Sequence, residues 1–149
     1  MKFNKYAVLS YQKKLIENHY DFLNCVIVNN ILICKGKIKQ PDCDIYKIKI
    51  ECVAGYEPKS TILFPLIDPC KEIHMYKDHS LCLHYSPDMK WNVRTNVFQY
   101  TIPWLIEWIV FYEIYKEKGV WLGHESPVHL KEPNKNRNTN LANDDQNFY

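Results

Sequence analysis

Cys82 is the residue of this chain best suited to covalent chemistry, because it lies in a window rich in histidine. Leu81 and Leu83 flank it, His74 lies eight residues before it and His84 lies two residues after it. A cysteine thiolate takes up an acyl group as a thioester and then yields it to an amine. An ordinary cysteine has a pKa of about 8.5, so a small thiolate fraction exists at neutral pH without a dedicated base. The window therefore makes Cys82 the candidate nucleophile of this chain.

Four other cysteines are spaced nine residues apart, at Cys25, Cys34, Cys43 and Cys52. Structural metal sites usually pair cysteines with about two to four residues between them, and this chain has no such pair. We interpret the spacing as a coincidence and expect most of these thiols to pack as small apolar side chains. We predict no metal and no cofactor.

Composition limits the classes of partner. The chain has 149 residues, of which 46% are hydrophobic, and this suits one domain with a substantial core. Its 19 basic and 17 acidic residues form no basic stripe, so we expect no nucleic-acid partner. The first residues are too polar for a signal peptide, and the most apolar stretch, residues 102–115, is shorter than the roughly 20 residues that cross a bilayer. We expect a cytoplasmic protein with reduced thiols and no membrane partner.

The elements that must position Cys82 begin with a predicted helix at residues 4–24, where Tyr11, Leu15, Ile16 and Leu23 recur near helical spacing. A pair of asparagines at positions 29 and 30 predicts a tight hairpin. Short connections between the runs that follow favour a four-stranded antiparallel meander. The predicted strands are residues 25–28, residues 31–34 with a continuation to residue 38, residues 45–50 and residues 61–64.

A long irregular segment is predicted at residues 68–90, with Cys82 in its middle. A second helix is predicted at residues 103–118, with Pro103 in its first turn and Gly119 just past its end. Its apolar positions cover most of the circumference, which predicts deep burial against the sheet. We assign the domain to residues 1–130. The polar, asparagine-rich residues 131–149 are interpreted as a disordered tail.

The cysteine window resembles the active site of ubiquitin-conjugating enzymes, the UBC family. That family has an apolar residue, the cysteine and a leucine in succession, with a tryptophan eight or nine residues later, and Leu81-Cys82-Leu83 and Trp91 match this arrangement. The order of the predicted elements also matches over residues 4–129. The resemblance implies an α+β, UBC-like fold with an N-terminal helix, a four-stranded antiparallel meander, a long active-site loop and a C-terminal helix.

One position departs from the family pattern. The asparagine of a His-Pro-Asn triplet lies eight residues before the cysteine in the family, and this chain has His74 there. The resemblance implies that His74 takes over this role, because a ring N–H can donate to a developing oxyanion and the imidazole can also shuttle a proton. We expect Trp91 to pack beneath the cysteine loop. The candidate supporting residues are His84, Asp88, Trp91, His124 and Glu125.

A second pattern resembles bacterial members of this group. It consists of Pro103-Trp104, Glu107-Trp108, Phe111-Tyr112-Glu113 and the Gly119, Trp121 and Gly123 positions. Together these are similar to the stand-alone conjugating-enzyme-like proteins of bacterial CBASS anti-phage operons. The resemblance implies an enzyme that forms a thioester on Cys82 with the C-terminus of a cGAS/DncV-like nucleotidyltransferase, or of a ubiquitin-like protein. The acyl group would then pass to an amine.

Three other functions stay open. One is a redox thiol, for which Cys70, twelve residues before Cys82, is the best candidate for a resolving cysteine. A non-catalytic UBC-like scaffold would bind the same partner without transfer, although such variants usually lack the cysteine that this chain retains. A cysteine hydrolase would need a histidine base within hydrogen-bond reach and a third group that orients it. His84, two residues from Cys82, would point poorly for that purpose.

Overall fold

The computed structural model describes residues 2–83 and 89–123. A helix is followed by a four-stranded antiparallel sheet and a second long helix, so the predicted α+β class and meander are confirmed. The strands lie in chain order across the sheet. The elements are α1 (Lys5–His19), β1 (Leu23–Val28), β2 (Ile31–Lys39), β3 (Ile45–Cys52), β4 (Lys59–Phe64), a short 3-10 helix (Lys71–Ile73) and α2 (Thr101–Lys118).

Helix α1 begins after Asn4, whose side-chain oxygen accepts a hydrogen bond from the Ala7 N–H at 3.1 Å. This bond satisfies one of the free donors of the first turn. The predicted continuation of the helix beyond His19 is wrong, because Leu23 opens β1 and pairs there with Gly36. A short apolar run buries its side chains equally well in a strand or a helix, and periodicity alone does not separate the two.

The buried face of α1 differs in part from the prediction. Leu9, Gln12 and Ile16 are buried, while Tyr11 is 58% exposed. Gln12 can be buried because its side-chain oxygen accepts the Val97 N–H at 3.0 Å. This bond holds the chain that leads into α2 against α1.

The β1–β2 hairpin turns at Asn29 and Asn30, which have φ angles of 51° and 58°. Asparagine tolerates this left-handed conformation, and a two-residue turn fixes the register of the strands. Cys25 consequently lies opposite Cys34, and Cys52 lies on the next strand. All three are buried. The nine-residue spacing that we interpreted as a coincidence therefore has a geometric consequence, since it places Cys25 and Cys34 side by side in the core.

Helix α2 begins two residues before the predicted start, and Gly119 caps its end as predicted. Gly119 has a φ of 69°, and its N–H donates to the Tyr115 carbonyl oxygen at 2.8 Å. The prediction that α2 is buried around most of its circumference is wrong. Leu105 is fully buried, but Glu107 and Val110 are exposed, because the described chain covers only one side of this helix.

The segment at residues 68–90 is less irregular than predicted. The short 3-10 helix is followed by a tight hairpin in which Met75 pairs with Leu81. This hairpin is short and is held together by backbone hydrogen bonds. It therefore shows no apolar periodicity in the sequence. Residues 84–88 and the predicted tail, with its boundary at residue 130, lie outside the described residues. Within residues 2–83 and 89–123, no helix has both the length and the apolar character needed to cross a membrane.

Candidate active site

Cys82 lies at the end of the hairpin that follows the 3-10 helix. Its N–H donates to the His74 carbonyl oxygen at 2.8 Å, and the Leu81 N–H donates to a carbonyl oxygen of β4 at 2.9 Å. These bonds fix the hairpin to the edge of the sheet. Met75 and Leu81 are buried in the core, whereas Cys82 is only half-buried. The core therefore anchors one face of the hairpin and leaves the sulfur accessible.

Asp78 closes the turn of this hairpin. Its carboxylate accepts hydrogen bonds from the Ser80 N–H at 3.0 Å and the Ser80 hydroxyl at 2.5 Å, and it lies 2.7 Å from the Lys59 ammonium. Burial raises the pKa of Asp78, but these donors outweigh burial and lower the pKa to about 2. The carboxylate therefore stays charged at neutral pH and ties the turn to β4.

His74 ends the 3-10 helix in the left-handed conformation, with a φ of 57°, and its side chain is buried. The indole N–H of Trp108 donates to the Ile73 carbonyl oxygen at 2.8 Å, so α2 fixes the backbone just before His74. The centroid of the His74 ring lies 5.5 Å from that of Trp121. Helix α2 and the chain after it thus set the position of this histidine.

A small open pocket lies beside Cys82. The hairpin contributes His74, Cys82 and Leu83 to its lining. Four aromatic side chains, one exposed carboxylate and one glycine form the rest. They come from α2 and the turn after it, and are Trp104, Glu107, Trp108, Phe111, Trp121 and Gly123. Aromatic faces and a nearby carboxylate both attract a positively charged group, so this lining favours a cationic side chain as the bound group.

Gly123 allows Trp121 to reach this pocket. A Cβ at Gly123 would lie 2.7 Å from the Trp121 Nε1 and 2.9 Å from the Phe111 ring, so only glycine permits this close approach. The Trp121 indole N–H is buried and has no hydrogen-bond partner in the part of the chain that the structure describes. The Trp121 ring lines the pocket, while its N–H lies against Gly123.

The thiol of Cys82 is influenced by three effects. Burial raises its pKa above the usual value, a hydrogen bond with the Tyr76 hydroxyl lowers it, and the charge of Glu57 raises it. The net shift is upward, so the resting residue is a thiol at neutral pH. Groups that stabilise the thiolate consequently control how fast this sulfur reacts.

The sequence matches a protein family described as Type II CBASS E2 protein over residues 12–129, which is most of the chain and includes the whole sheet, the hairpin and the pocket. The chain belongs to the type II CBASS E2 protein family. This membership connects it with CBASS anti-phage defence, and the E2 designation suggests a conjugating activity. No curated protein matches the chain.

Two of the predicted site residues of this CBASS family member meet in the structure, since Cys82 and His74 line the same pocket. Trp91 lines a second pocket, between α1 and the turn that joins β3 to β4, and is not among the lining residues of the Cys82 pocket. Its packing beneath the cysteine loop stays a prediction. Among the residues that are described, no three potential metal ligands lie together. The remaining candidates lie outside the described residues, and they are His84, Asp88, His124 and Glu125.

Tyr76, which the sequence pattern did not single out, hydrogen-bonds the Cys82 sulfur. A signal was present in the sequence, because an aspartate two residues before a serine is typical of an Asx turn. A turn at Asp78 brings Tyr76 opposite Ser80, and the Tyr76 N–H indeed donates to the Ser80 carbonyl oxygen at 2.8 Å. That register places Tyr76 within reach of Cys82.

Proposed function

We propose that this protein is a ubiquitin-conjugating-type acyltransferase with a UBC-like fold. In this proposal Cys82 carries the C-terminus of a protein partner as a thioester and transfers it to an amine. The observation that carries the proposal is the half-buried Cys82 sulfur at a pocket that it shares with His74. The family match supports it, because the matched residues include this site.

The proposed reaction has two acyl transfers. In the first, the Cys82 thiolate attacks the carbonyl carbon of the partner C-terminus, which a separate enzyme has already activated as a thioester. The bond to the departing thiolate breaks with its electron pair, that thiolate takes up a proton, and the Cys82 proton passes to solvent. In the second, an amine nitrogen bonds to the same carbon and the carbon–sulfur bond breaks. The amine loses a proton to solvent, and the sulfur takes one up. The His74 ring is the candidate donor to the oxyanion of each tetrahedral intermediate.

The pocket supports an amine as the acceptor. An amine arrives as a cation at neutral pH, and the exposed carboxylate of Glu107 attracts that charge. The rings of Trp104 and Trp108 line the same pocket, and aromatic faces also attract a cation. The partner that we propose as acyl donor is a cGAS/DncV-like nucleotidyltransferase, and a ubiquitin-like protein is the second candidate.

The test is intact mass spectrometry of the protein co-expressed with a cGAS/DncV-like nucleotidyltransferase, the proposed acyl donor. We expect an adduct on the wild-type chain that raises its mass by the partner mass less one water. Hydroxylamine should cleave this adduct, because it cleaves thioesters. Cys82→Ala should abolish the adduct, and Cys82→Ser should trap a more stable oxyester. Cys43→Ser is the matched control, since Cys43 is also half-buried but lies outside the pocket.

A stable complex without any Cys82-dependent adduct would contradict the enzyme proposal and favour a non-catalytic scaffold. An adduct that persists in Cys82→Ala and disappears in Cys43→Ser would also contradict it, because the reactive sulfur would then be the wrong one.

A further inference from the structure

Backbone pairing places Tyr76 and Cys82 on one face of the active-site hairpin, which comprises residues 74–82. The Tyr76 N–H donates to the Ser80 carbonyl oxygen at 2.8 Å, and the Cys82 N–H donates to the His74 carbonyl oxygen at 2.8 Å. Tyr76 is therefore opposite Ser80, two residues before Cys82. Diagonal neighbours of this kind in an antiparallel pair lie about 7–8 Å apart, within reach of an aromatic side chain.

The Tyr76 hydroxyl uses this proximity to form a hydrogen bond with the Cys82 sulfur. The tyrosine ring is half-buried, and both arms of the hairpin are fixed by the backbone bonds given above. Burial and the contact with Cys82 raise the pKa of the Tyr76 hydroxyl. The hydroxyl therefore keeps its proton at neutral pH and acts as a donor to the sulfur.

We propose that Tyr76 is a catalytic residue whose hydroxyl donates a hydrogen bond to the Cys82 sulfur and stabilises it as a thiolate, both when it attacks and when it leaves. This inference deepens the proposed function and rests on it for the acyl-transfer step. The interaction between the two side chains can be tested separately from that function.

The hydrogen bond matters most when the acyl group leaves. As the amine nitrogen bonds to the carbonyl carbon, the carbon–sulfur bond breaks and its electron pair moves to the sulfur. The Tyr76 hydroxyl already points at the atom where this charge develops, so no reorganisation is needed at that moment. A hydrogen bond to a charged acceptor is stronger than one to a neutral acceptor, and the transition state therefore gains more than the thioester does.

Glu57 acts on the same sulfur in the opposite direction. Its charge disfavours the thiolate, and its exposed position means that salt screens this effect. Substitutions at Tyr76 and Glu57 should therefore shift Cys82 reactivity in opposite directions. A general loosening of the hairpin would shift both variants in the same direction.

The experiment measures the alkylation rate of Cys82 by iodoacetamide from pH 6 to 10.5, with the Cys82 peptide followed by mass spectrometry. We expect Tyr76→Phe to move the midpoint of the pH profile upward and to slow alkylation at pH 7 by about two- to tenfold, the range set by the loss of one hydrogen bond. Glu57→Gln should move the midpoint slightly downward at low salt. Tyr6→Phe is the matched control, because Tyr6 is 60% exposed on α1 and should leave the profile unchanged.

A second substitution keeps the test decisive if Tyr76→Phe does not fold. Replacing Tyr76 with 3-fluorotyrosine keeps the ring and makes the hydroxyl a stronger donor, so the midpoint should move downward. A Tyr76→Phe profile that superimposes on the wild-type profile, or a 3-fluorotyrosine midpoint that moves upward, would overturn the inference.

The two proposals fail in distinguishable ways. If Tyr76→Phe shifts the alkylation profile but the wild-type chain forms no Cys82-dependent adduct, the Tyr76–Cys82 interaction is supported and the proposed function fails. If the adduct forms but neither the alkylation profile nor the rate of acyl discharge changes in Tyr76→Phe, the role of Tyr76 alone is overturned.

Discussion

The environment of the Cys82 sulfur favours the protonated thiol over the thiolate. Its pKa is raised by burial, and the Tyr76 hydroxyl only partly opposes this effect. A thiol in this state reacts slowly with small electrophiles and oxidants, because the thiolate is the reactive form. Such a sulfur suits an acyl donor that is already activated and positioned, since proximity then compensates for the small thiolate fraction.

The role of His74 can be tested with two substitutions that differ in one property. His74→Asn keeps a side-chain N–H donor and tolerates the left-handed backbone at this position, whereas His74→Ala lacks the donor. We expect His74→Ala to form the Cys82 adduct about 100-fold more slowly than wild type, which is the usual effect of losing one oxyanion donor. His74→Asn should stay within about tenfold of wild type by the same reasoning. Initial rates by intact mass spectrometry measure both.

Equal rates for His74→Ala and wild type would exclude an oxyanion role for this side chain. Denaturation by urea serves as the control, because His74 is buried and its replacement also affects stability. Rates are compared only for the folded fraction of each variant.

Among the elements, the active-site hairpin depends on one carboxylate in its turn. Asp78→Asn should increase amide hydrogen exchange at Leu81 and Cys82 at pH 7, because it weakens the contacts with Lys59 and Ser80. Since its folded pKa of about 2 lies below the ordinary value of 3.8, the contribution of Asp78 is fully present above pH 3.8 and is lost as the pH falls through about 2.

The carboxyl carbon shift of Asp78, followed by NMR during an acid titration, checks this direction. A midpoint at or above 3.8 would contradict the hydrogen-bond network described for the turn. Asp21→Asn is the control for hydrogen exchange, because Asp21 lies in the turn before β1 and away from the active-site hairpin.

Substitutions of Gly119, at the end of α2, test the effect of the left-handed backbone conformation without a change in side-chain contacts. A Cβ at Gly119 would meet nothing within 4 Å, but the residue has a φ of 69°. Gly119→Ala should therefore lower the free energy of unfolding by about 1 kcal/mol through strain in the left-handed conformation. Gly119→Asn should lose less, because asparagine tolerates this conformation. Urea denaturation compares the variants, and equal losses for Ala and Asn would contradict this account.

Across the whole molecule, a polar network joins α2 to the sheet. The hydroxyl of Tyr46, on β3, donates to the Glu113 carboxylate on α2, and the Asp44 N–H donates to the same carboxylate at 3.2 Å. Lys116 lies 2.8 Å from Asp44 and 3.0 Å from Glu113. Burial raises the pKa of Glu113, but these donors outweigh burial and lower it. The network fixes the helix whose aromatic side chains form the pocket.

Removal of Glu113 should cost more than removal of its donor. Tyr46 is fully buried, so Glu113→Ala leaves a buried hydroxyl without its acceptor and should lower the free energy of unfolding by about 1–3 kcal/mol. Tyr46→Phe should cost less, because solvent can reach the Glu113 carboxylate. In the double variant the two losses should be less than additive, and urea denaturation measures all three. Fully additive losses would contradict a direct interaction.

Much of the fold followed from local chemistry. Asn29 and Asn30 specify a two-residue turn, β-rich runs specify the strands around it, and Gly119 specifies where α2 ends. Each of these signals acts within a few residues, so it can be recognised without knowledge of the rest of the chain. The predicted end of α1 was wrong because it depends on a contact that is distant in the chain. Leu23 becomes a strand residue only because Gly36 lies opposite it.

The sequence alone also determined Cys82 as the candidate nucleophile, His74 as its neighbour and the aromatic residues of α2 as a group, because residue type and spacing carry that information. Only the tertiary structure decided that α2 and the active-site hairpin enclose one pocket, that Trp91 lies outside it and that Tyr76 contacts the sulfur. These facts depend on contacts between residues that are distant in the chain or on opposite arms of a turn. Such contacts are set by the packing of whole elements, which no local pattern of residues encodes.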